Sequence, residues 1–526
     1  MINKTVIKVI QSLYQEYAIN YYNKWEPSPD IKDIIRKAAK INGLEVLINR
    51  NNTYFYKDGV YVGGLVRNRS SFVTSKTAEI CRQKYNTLVI LKENGIPVAD
   101  GKVFDICRFE EALNWVKKHN RRVVVKPANY EGGKGVTVNV NEVSFPKAWE
   151  YCVVALKKKK DKKILVETYH PGVDIRLLVI NKRVICATTR LPANVIGDGV
   201  NTIRYLIQRK NQQRLFNPYL REKLIVINDH VKALLKHQLL SLDSIPQKDR
   251  VVLLDEVTNV ARSAEPVDVT DIISDQLKDL AIRAVQTIPG LDYAGVDVIA
   301  TSFYSATNAI VNEINTYNDI RMHYYPVLGK PRDPANYLIK CFLKKHELFV
   351  NCSLQELNDS VYTAIKQQNT HEAIAALHHV LTRYSKPPLK LFIKLSRLYL
   401  EDNNLVMAEE MFKKAYVLCD EDKDTIDDII LIINAYKQVK VEELNKQLKH
   451  NKRELDKTIK AKLKYESKYK LRKKQNEELK NKIVSYSEEM KRLKIVFGNR
   501  KVDRIGTRKV DHLRYNPGGY PLPPRG

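Results

Sequence analysis

The pattern that most constrains this chain is a pair of apolar strands that carry oxygen-bearing side chains. Asp297 lies within the apolar run 293–300, and the next apolar run ends in Glu313-Ile-Asn315. Residues two apart on a strand point to the same face, so Glu313 and Asn315 share a face while Ile314 turns into the core. An antiparallel hairpin would bring Asp297 beside them, and three such oxygen donors suit magnesium. The alternative is an ordinary hairpin whose polar residues face water.

The composition indicates a soluble intracellular protein of several domains. The chain has 526 residues and seven cysteines, all scattered singly. Without a CxxC pair or a His-Cys cluster, neither a zinc site nor a disulfide framework is indicated, which fits a reducing cytoplasm. The N-terminal stretch lacks the continuous apolar core of a signal peptide, and no run approaches the roughly 18 apolar residues of a membrane span. The prediction is a cytoplasmic protein without a membrane span.

Positive charge is concentrated at the C-terminal end. Residues 437–526 contain 27 Lys and Arg and 11 Asp and Glu, a net of +16 out of +29 for the whole chain. Residues 437–495 have dense charge and a partial heptad of apolar residues, which predicts a basic helix or coiled coil. Residues 496–526 are rich in Pro, Gly and Arg and are predicted to be disordered. This basic region is a candidate for binding a polyanion.

The remainder divides into three predicted parts. Residues 1–70 mix a helical start with short strands, closed by a turn predicted at Asp58-Gly59, and form an N-terminal α/β pre-domain. Residues 71–350 alternate strands and helices, beginning with a helix predicted over residues 78–93, which indicates an α+β domain. Residues 351–436 are helical, and the similar segments NTHEA and NLVMA recur about 35 residues apart, close to the tetratricopeptide period. These repeats predict a small helical solenoid that recruits a protein partner.

Two segments of the middle part predict a nucleotide site. The strand RRVVVKP ends near Lys126, just before a loop with glycines 132, 133 and 135, whose backbone N–H groups could close over phosphates. The spacing is neither a Walker A motif nor GxGxxG, and a plain hairpin is the alternative. Further on, Glu167 ends an apolar strand, residues 168–170 offer backbone groups suited to an adenine edge, and Asp174 could bind ribose hydroxyls. An ordinary acidic strand end is the alternative there.

The order of these motifs resembles the ATP-grasp superfamily. Within it the chain is most similar to the ATP-grasp regions of cyanophycin synthetases and bifunctional glutathione synthetases. The resemblance runs from about residue 71 to residue 342. It is carried by the segments VVVKPANYEGGKGVTVNV, HPGVDIRLLVINKRVICATTRLPANVIGDGVNTIRYLI, GLDYAGVDVIA and IVNEINTYNDIRMHYYPVLGKPR.

The resemblance implies a role for each matching residue. The phosphate-binding set comprises two lysines and a mobile loop: Lys84, Lys126, Glu131, Gly132, Gly133, Lys134 and Gly135. The adenine hinge and the ribose acid are Glu167, Thr168, Tyr169, His170 and Asp174. The magnesium ligands are Asp297, Glu313 and Asn315. The catalytic arginines, near the transferred phosphate or the acyl substrate, are Arg176, Arg190 and Arg321.

The implied function is an ATP-dependent carboxylate-amine ligase. A carboxylate receives the γ-phosphoryl group of ATP, and an amine attacks the resulting acyl phosphate to give an amide, ADP and phosphate. The implied cofactors are ATP and Mg²⁺, with Mn²⁺ as a second choice of metal, and the substrates are amino acids or peptides. A different class of function is a decayed nucleotide-binding scaffold whose basic helix binds nucleic acid or another polyanion. A homo-oligomer is left open.

Two loops depart from the family pattern. Relatives usually have N-x-x-x-G-G where this chain has residues 259–264, and N-x-x-P-G where it has residues 315–319. Ser263 and Ala264 replace glycines, for which conformations with positive φ cost little. The resemblance therefore does not establish the shape of the first loop, and the acceptor-substrate site is expected to differ from that of the relatives.

Overall fold

The computed structural model describes residues 4–20, 30–49, 52–129, 133–157, 162–402 and 404–417, together with Glu477, Glu478, Asn481 and Glu488. Apart from those four exposed positions, the described residues belong to one compact unit, Met1–Tyr436. Apart from those four positions, the predicted basic helix lies outside the described residues, as do the predicted disordered tail and residues 418–436 of the predicted repeat segment. No helix within the described ranges is both long and apolar enough to cross a membrane.

The N-terminal part combines two helices with a four-stranded antiparallel meander. The turn at Asp58-Gly59, with φ of +50° and +74°, closes the hairpin between the second and third strands, as the sequence predicted. The strand order follows the chain order. The elements are α1 (Lys4–Glu16), α2 (Ile31–Ile41), β1 (Glu45–Asn49), β2 (Asn52–Lys57), β3 (Val60–Val66) and β4 (Arg69–Ser70).

The single helix predicted over residues 78–93 is in fact two helices, α3 (Ser75–Arg82) and α4 (Lys84–Glu93). Gln83 separates them with φ −89° and ψ 81°, which is outside the helical region. The Thr87 hydroxyl lies within hydrogen-bonding distance of the carbonyl oxygens of Ile80 and Gln83, so it compensates carbonyl groups at the break. The break makes Lys84 the first residue of α4.

A small sheet of order β5-β8-β6-β7 forms one wall of the main cavity. Two helices cover its outer face, and Phe104, Val125 and Trp149 are buried between them and the strands. The elements are β5 (Gly101–Asp105), α5 (Phe109–His119), β6 (Val123–Pro127), β7 (Thr137–Val140), α6 (Phe145–Leu156) and β8 (Lys163–Thr168).

A larger antiparallel sheet of order β13-β10-β9-β14-β15 forms the opposite wall. Its strands are largely buried, and α9 packs against one of its faces. A two-stranded ribbon and two helices extend from its edge. The elements are β9 (Val173–Ile180), β10 (Arg183–Leu191), β11 (Asn194–Ile196), α7 (Ile203–Phe216), α8 (Asp229–His237), β12 (Val251–Leu253), the 3-10 helix Val260–Arg262, β13 (Glu265–Asp268), α9 (Asp275–Gln286), β14 (Tyr293–Ala300), β15 (Ile310–Asn315) and α10 (Arg321–Tyr324).

Five helices follow, and the last four of them confirm the predicted helical segment 351–436 up to residue 417. They are α11 (Pro334–Asn351), α12 (Leu354–Lys366), α13 (Thr370–Leu381), α14 (Leu389–Glu401) and α15 (Leu405–Val417). Helices α12 and α13 pack as one pair and α14 and α15 as another. The similarity of NTHEA and NLVMA has a local cause: Asn369 and Asn404 each accept a hydrogen bond from a backbone N–H in the first turn of the following helix. The tetratricopeptide assignment itself stays a prediction.

Candidate active site

One face of the larger sheet gathers the charged residues that the sequence singled out. In the antiparallel pairing, Asp297 on β14 lies opposite Arg176 on β9 and opposite Glu313 on β15. Cross-strand partners share a face, and so do residues two apart on one strand. Asp174 on β9 therefore lies beside Arg176, and Arg190 joins them from β10. The predicted hairpin carrying Asp297 and Glu313 is confirmed.

Asp297 is held between two guanidinium groups. Arg176 donates to both of its carboxylate oxygens, through Nε to Oδ1 and through Nη2 to Oδ2 at 2.9 Å. Arg190 Nη2 donates to Asp297 Oδ2 at 3.0 Å and to Asp174 Oδ1 at 2.5 Å. Burial acts to raise the pKa of Asp297, but the two arginines outweigh it and lower this pKa to about 2. Asp297 is therefore ionised at neutral pH, the form in which it can bind a metal.

For Asp174, burial and the neighbouring arginine have opposite effects on the pKa, and the outcome differs from that for Asp297. Burial raises its pKa, and the opposing effect of Arg190 does not fully offset this. Its oxygens accept from Arg190 and from the Thr258 hydroxyl, at 3.2 Å for the latter. The acid predicted to bind ribose therefore already has two protein partners.

The other two predicted metal ligands adjoin Asp297. Lys84 Nζ lies 3.0 Å from Glu313 Oε1. When the Asn315 amide is oriented to suit its neighbours, its nitrogen donates to Glu313 Oε1 and its oxygen accepts from Arg176 Nη2, both at 3.1 Å. Two carboxylates and one amide make an all-oxygen donor set, which is the chemistry that magnesium prefers. The described residues contain no metal-binding group of three or more His, Cys, Asp or Glu side chains.

On the small sheet, Lys126 forms an ion pair with Glu167. Lys126 Nζ lies 2.5 Å from Glu167 Oε1, and their side chains are 15% and 5% exposed. Glu167 Oε2 is buried and has no hydrogen-bond partner in the described part of the chain. The backbone N–H groups of Thr168 and Tyr169 donate to the carbonyl oxygens of Asp100 and Arg122. Those two N–H groups, expected from the sequence to face an adenine, are therefore used inside the protein.

A cavity of about 400 Å³ separates the two sheets and brings most of the predicted residues together. Its apolar lining includes Val124 and Val138 from the small sheet and Ile299 and Ile310 from the larger one. The predicted site residues that line it are Lys84, Lys126, Gly133, Glu167, Thr168, Tyr169, His170, Asp174, Arg176, Arg190, Asp297, Glu313 and Asn315.

Among the described residues, Lys134, Gly135 and Arg321 were predicted for the site but do not line this cavity. Glu131 and Gly132 lie outside the described residues. Lys134 is exposed, and Gly135 (φ +77°) packs against α6, where an added Cβ would lie 2.7 Å from Ala155 Cβ. Arg321 pairs with Asp319 instead. Gly135 therefore has a packing reason to be glycine that is separate from phosphate binding.

Sequence reasoning missed Val257 and Thr258, in the loop that follows β12. Both line the cavity beside Asn259, and Thr258 hydrogen-bonds to Asp174. Gly133 faces this loop, since an added Cβ would lie 3.3 Å from Asn259 Nδ2. No local motif marks Val257 or Thr258, because their role depends on a contact between loops far apart in the sequence.

The same loop contains Ser263, one of the two residues that stand where the relatives usually have glycine. Ser263 adopts φ +68°, the left-handed conformation that glycine would favour. Its hydroxyl donates to the carbonyl oxygen of Leu224 at 2.9 Å, and its N–H donates to that of Val260 at 3.1 Å. These bonds hold a glycine-like backbone without glycine, whereas Ala264 has a negative φ.

Comparison with known proteins agrees with this geometry. No protein-family model matches the chain. Cyanophycin synthetase from Synechocystis sp. is 35% identical over 269 residues, covering 49% of this chain and 30% of the relative. The glutathione biosynthesis bifunctional protein GshAB from Enterococcus faecalis is 34% identical over 262 residues, covering 48% of this chain and 34% of the relative. The chain is related to the ATP-grasp ligases.

The ATP-grasp relation concerns part of each protein. The chain spans about a third of the length of those two relatives. Among solved structures, a bifunctional glutathione synthetase from Pasteurella multocida is 26% identical, with a TM-score of 0.45, covering 60% of this chain and 43% of that one.

Proposed function

We propose that this protein is an ATP-dependent ligase that joins a carboxylate to an amine through an acyl phosphate. The observation that carries the proposal is the sheet face on which Asp297 lies between Arg176 and Arg190, beside Glu313 and Asn315 and across the cavity from Lys126. Such a face offers both cations for phosphates and anions for a metal.

The cations are positioned to hold phosphate groups. Lys84, Lys126, Arg176 and Arg190 all line the cavity, and each forms an ion pair with a carboxylate. A bound triphosphate would share these N–H donors, because its charge is greater than that of any single carboxylate. In phosphoryl transfer, fixed cations of this kind neutralise the charge that develops on the transferred group.

The donor set fits magnesium, and manganese by the same oxygen chemistry. Asp297, Glu313 and Asn315 would hold the ion, and Arg176 and Lys84 would then shift their hydrogen bonds towards phosphate oxygens. When bound, such an ion neutralises phosphate charge and orients the phosphate oxygens.

Apolar residues of the cavity suit the base of the nucleotide. Val124 and Val138 from the small sheet and Ile299 and Ile310 from the larger sheet provide apolar surfaces for a flat ring. Glu167 Oε2 is a buried acceptor without a partner among the described residues, and an amino group such as that of adenine would satisfy it.

The reaction then follows from what the site holds. The γ-phosphorus forms a bond to an oxygen of the substrate carboxylate while its bond to ADP breaks. The amine nitrogen next attacks the activated carbonyl, losing a proton as phosphate leaves. Enclosure between the two sheets would limit attack by water on the acyl phosphate. Substrates of the amino-acid or peptide class belong to this proposal.

The test is ATP-dependent ADP release with pools of amino acids and acidic peptides, followed by mass spectrometry of the products. Lys126→Ala should lower the rate about 100-fold or more, because it removes a fixed cation from the phosphate site. Lys102→Ala is the matched control, since Lys102 pairs with Glu111 and does not line the cavity. Release of no ADP by the wild type in any pool, or equal rates for wild type and Lys126→Ala, would refute the ligase function.

A further inference from the structure

A buried carboxylate joins three segments beside the cavity. Asp255, just after β12, is 7% exposed. Arg262, the last residue of the 3-10 helix, donates to both of its oxygens, through Nη2 to Oδ1 and through Nε to Oδ2, each at 3.0 Å. His230 Nε2, on α8, lies 3.5 Å from Asp255 Oδ1. These three side chains, the Asp255 cluster, connect α8, the end of β12 and the 3-10 helix.

Asp255 also fixes the start of the loop that follows it. Its Oδ1 accepts hydrogen bonds from the backbone N–H groups of Glu256 and Val257, at 2.7 and 3.0 Å. Burial acts to raise the pKa of its carboxyl, but the contact with His230, the N–H of Val257 and the charge of Arg262 outweigh burial and lower this pKa. Asp255 is therefore ionised at neutral pH, and a charged bridge between Asp255 and Arg262 closes the loop at its two ends.

The contact between His230 and Asp255 depends on pH. Asp255 raises the pKa of His230, although partial burial and Arg262 oppose this. The inner side of α8 packs in an apolar cluster with β12 and α7. The charged groups near His230 are Asp255, Glu256 and Arg262 of the loop and, on α8 itself, Asp229 and Lys232. His230 is charged below its raised pKa and strengthens the contact there, and the contact weakens as the pH rises through that pKa.

The loop closed by this bridge forms part of the cavity wall. Residues 256–259 line the cavity. The Thr258 hydroxyl donates to Asp174 Oδ2 at 3.2 Å, on the sheet face that carries the charged residues. On the other side, Gly133 of the glycine-rich loop faces Asn259, whose Nδ2 would lie 3.3 Å from an added Cβ. The position of this short segment therefore affects both walls of the cavity.

We propose that Asp255 is a positioning residue for nucleotide binding. Together with Arg262 and His230, it holds residues 256–259 in the cavity wall. A wall that already has its bound shape loses less conformational freedom when the ligand arrives, so the affinity is higher. The hold is strongest while His230 is protonated. The proposal rests on the proposed ligase function for the identity of the ligand.

The binding test is isothermal titration calorimetry of the full chain with the non-hydrolysable nucleotide AMP-PNP and Mg²⁺. Asp255→Asn should weaken binding about tenfold, the loss expected for a charge-assisted hydrogen bond. Arg262→Lys should weaken it less, because lysine keeps the charge but not the two-pronged contact. Asp243→Asn is the matched control, since Asp243 is exposed, pairs with Arg204 and does not line the cavity.

The same titration at pH values from about 5.5 to about 8.5 tests His230. Relative to His230→Gln, the wild-type affinity should fall about threefold as the pH rises, the size expected for a partly exposed ion pair. His237→Gln should keep the wild-type profile, because His237 is exposed in the last turn of the same helix.

Hydrogen exchange measures whether Asp255 holds the loop. Amides of residues 256–259 should exchange faster in Asp255→Asn, and those of β14 should not change. Unchanged exchange in the loop, an unchanged affinity for AMP-PNP, or the same pH profile for wild type and His230→Gln would each overturn the proposal and keep the ligase function. No binding of AMP-PNP by the wild type would refute the ligase function and, with it, the effect on affinity.

Discussion

Two polar networks in this protein are both largely buried, but they consist of different side chains. The sheet-face cluster consists of Asp174, Arg176, Arg190 and Asp297. The interface network consists of Tyr54, Tyr61, His371 and Asp402, and it joins the N-terminal sheet to the C-terminal helices. Tyr61 Oη lies 2.6 Å from His371 Nδ1, His371 Nε2 lies 3.2 Å from Asp402 Oδ1, and Tyr54 donates to Asp402 Oδ2 at 3.1 Å.

The difference lies in which groups carry charge and what they face. Arginines hold Asp297 ionised, and the sheet-face cluster lines a cavity. In the interface network burial lowers the pKa of His371 and raises those of Asp402 and Tyr61, so it favours their neutral forms. Its partners Tyr61 and His371 are 310 residues apart. Exchangeable ionic partners suit ligand binding, whereas neutral hydrogen bonds between distant segments suit a structural joint.

The largest expected difference between the networks is in activity. Asp297→Asn should lower ADP formation per folded molecule about 100-fold or more, because it removes a charge that the proposed metal and the arginines need. It should also destabilise the fold by roughly 3 kcal/mol, since Arg176 and Arg190 lose a buried counter-ion. Activity assays and denaturant titration measure the two effects.

Asp402→Asn is the matched control from the interface network. It should cost roughly 1–3 kcal/mol of unfolding free energy and leave the rate per folded molecule unchanged. The comparison would collapse if both variants lost activity to the same extent once unfolded protein is accounted for.

The second largest expected difference is in how the stability of the two networks depends on pH. Burial, with Lys414 and His379, lowers the pKa of His378 to about 3, and His378 Nε2 lies 2.7 Å from Tyr399 Oη beside the interface network. The unfolded chain takes up this proton below about pH 6.5. Each pH unit below that value should therefore remove about 1.4 kcal/mol of stability, continuing down to about pH 3.

Asp297 behaves differently because its pKa is lowered to about 2. Its contribution to stability is present above the ordinary pKa of an aspartate and is lost only as the pH falls from about 4 towards 2. Denaturant titrations between pH 7 and 4.5 measure how the free energy of unfolding changes with pH. His378→Gln should reduce that dependence by the equivalent of one proton taken up on unfolding. An unchanged dependence in that variant would show that His378 is not the group that titrates.

The smallest expected effect concerns Ser263. Ser263→Gly removes both the strain of φ +68° and the hydrogen bond to Leu224, two terms of about 1 kcal/mol that oppose each other. Ser263→Ala keeps the strain and loses the bond, so it should be less stable than Ser263→Gly by about 1 kcal/mol. Thermal unfolding of the two variants measures this, and equal midpoints would mean that the backbone at residue 263 is unstrained.

Local pattern predicted those parts of the site that depend on a strand's alternation. The two-residue period placed Glu313 and Asn315 on one face, and the hairpin brought in Asp297. The break of α3 and α4 at Gln83 was not predictable, because residues 78–93 contain no proline or glycine. The position of Arg321 beside Asp319 and Tyr219 also depends on contacts between distant loops. The sequence around Arg321 contains no pattern that indicates these contacts.

The contact between the N-terminal sheet and the C-terminal helices was also not predictable from the sequence. The sequence placed residues 1–70 and 351–436 in separate predicted parts. In the structure α13 packs on β3. A protein partner of the helices, which stays a prediction, would have to contact surfaces other than the one that β3 covers.

The position of β9 has a consequence for any attempt to alter this protein. Its neighbours β10 and β14 are fixed to it on both sides, and Asp174 and Arg176 alternate with the fully buried Ile175. Inserting or deleting a single residue near the start of this strand would reverse the alternation, turn Ile175 into the cavity and bury the two charges in the apolar core. Changes in chain length should therefore be tolerated in the loops around this strand and not within it.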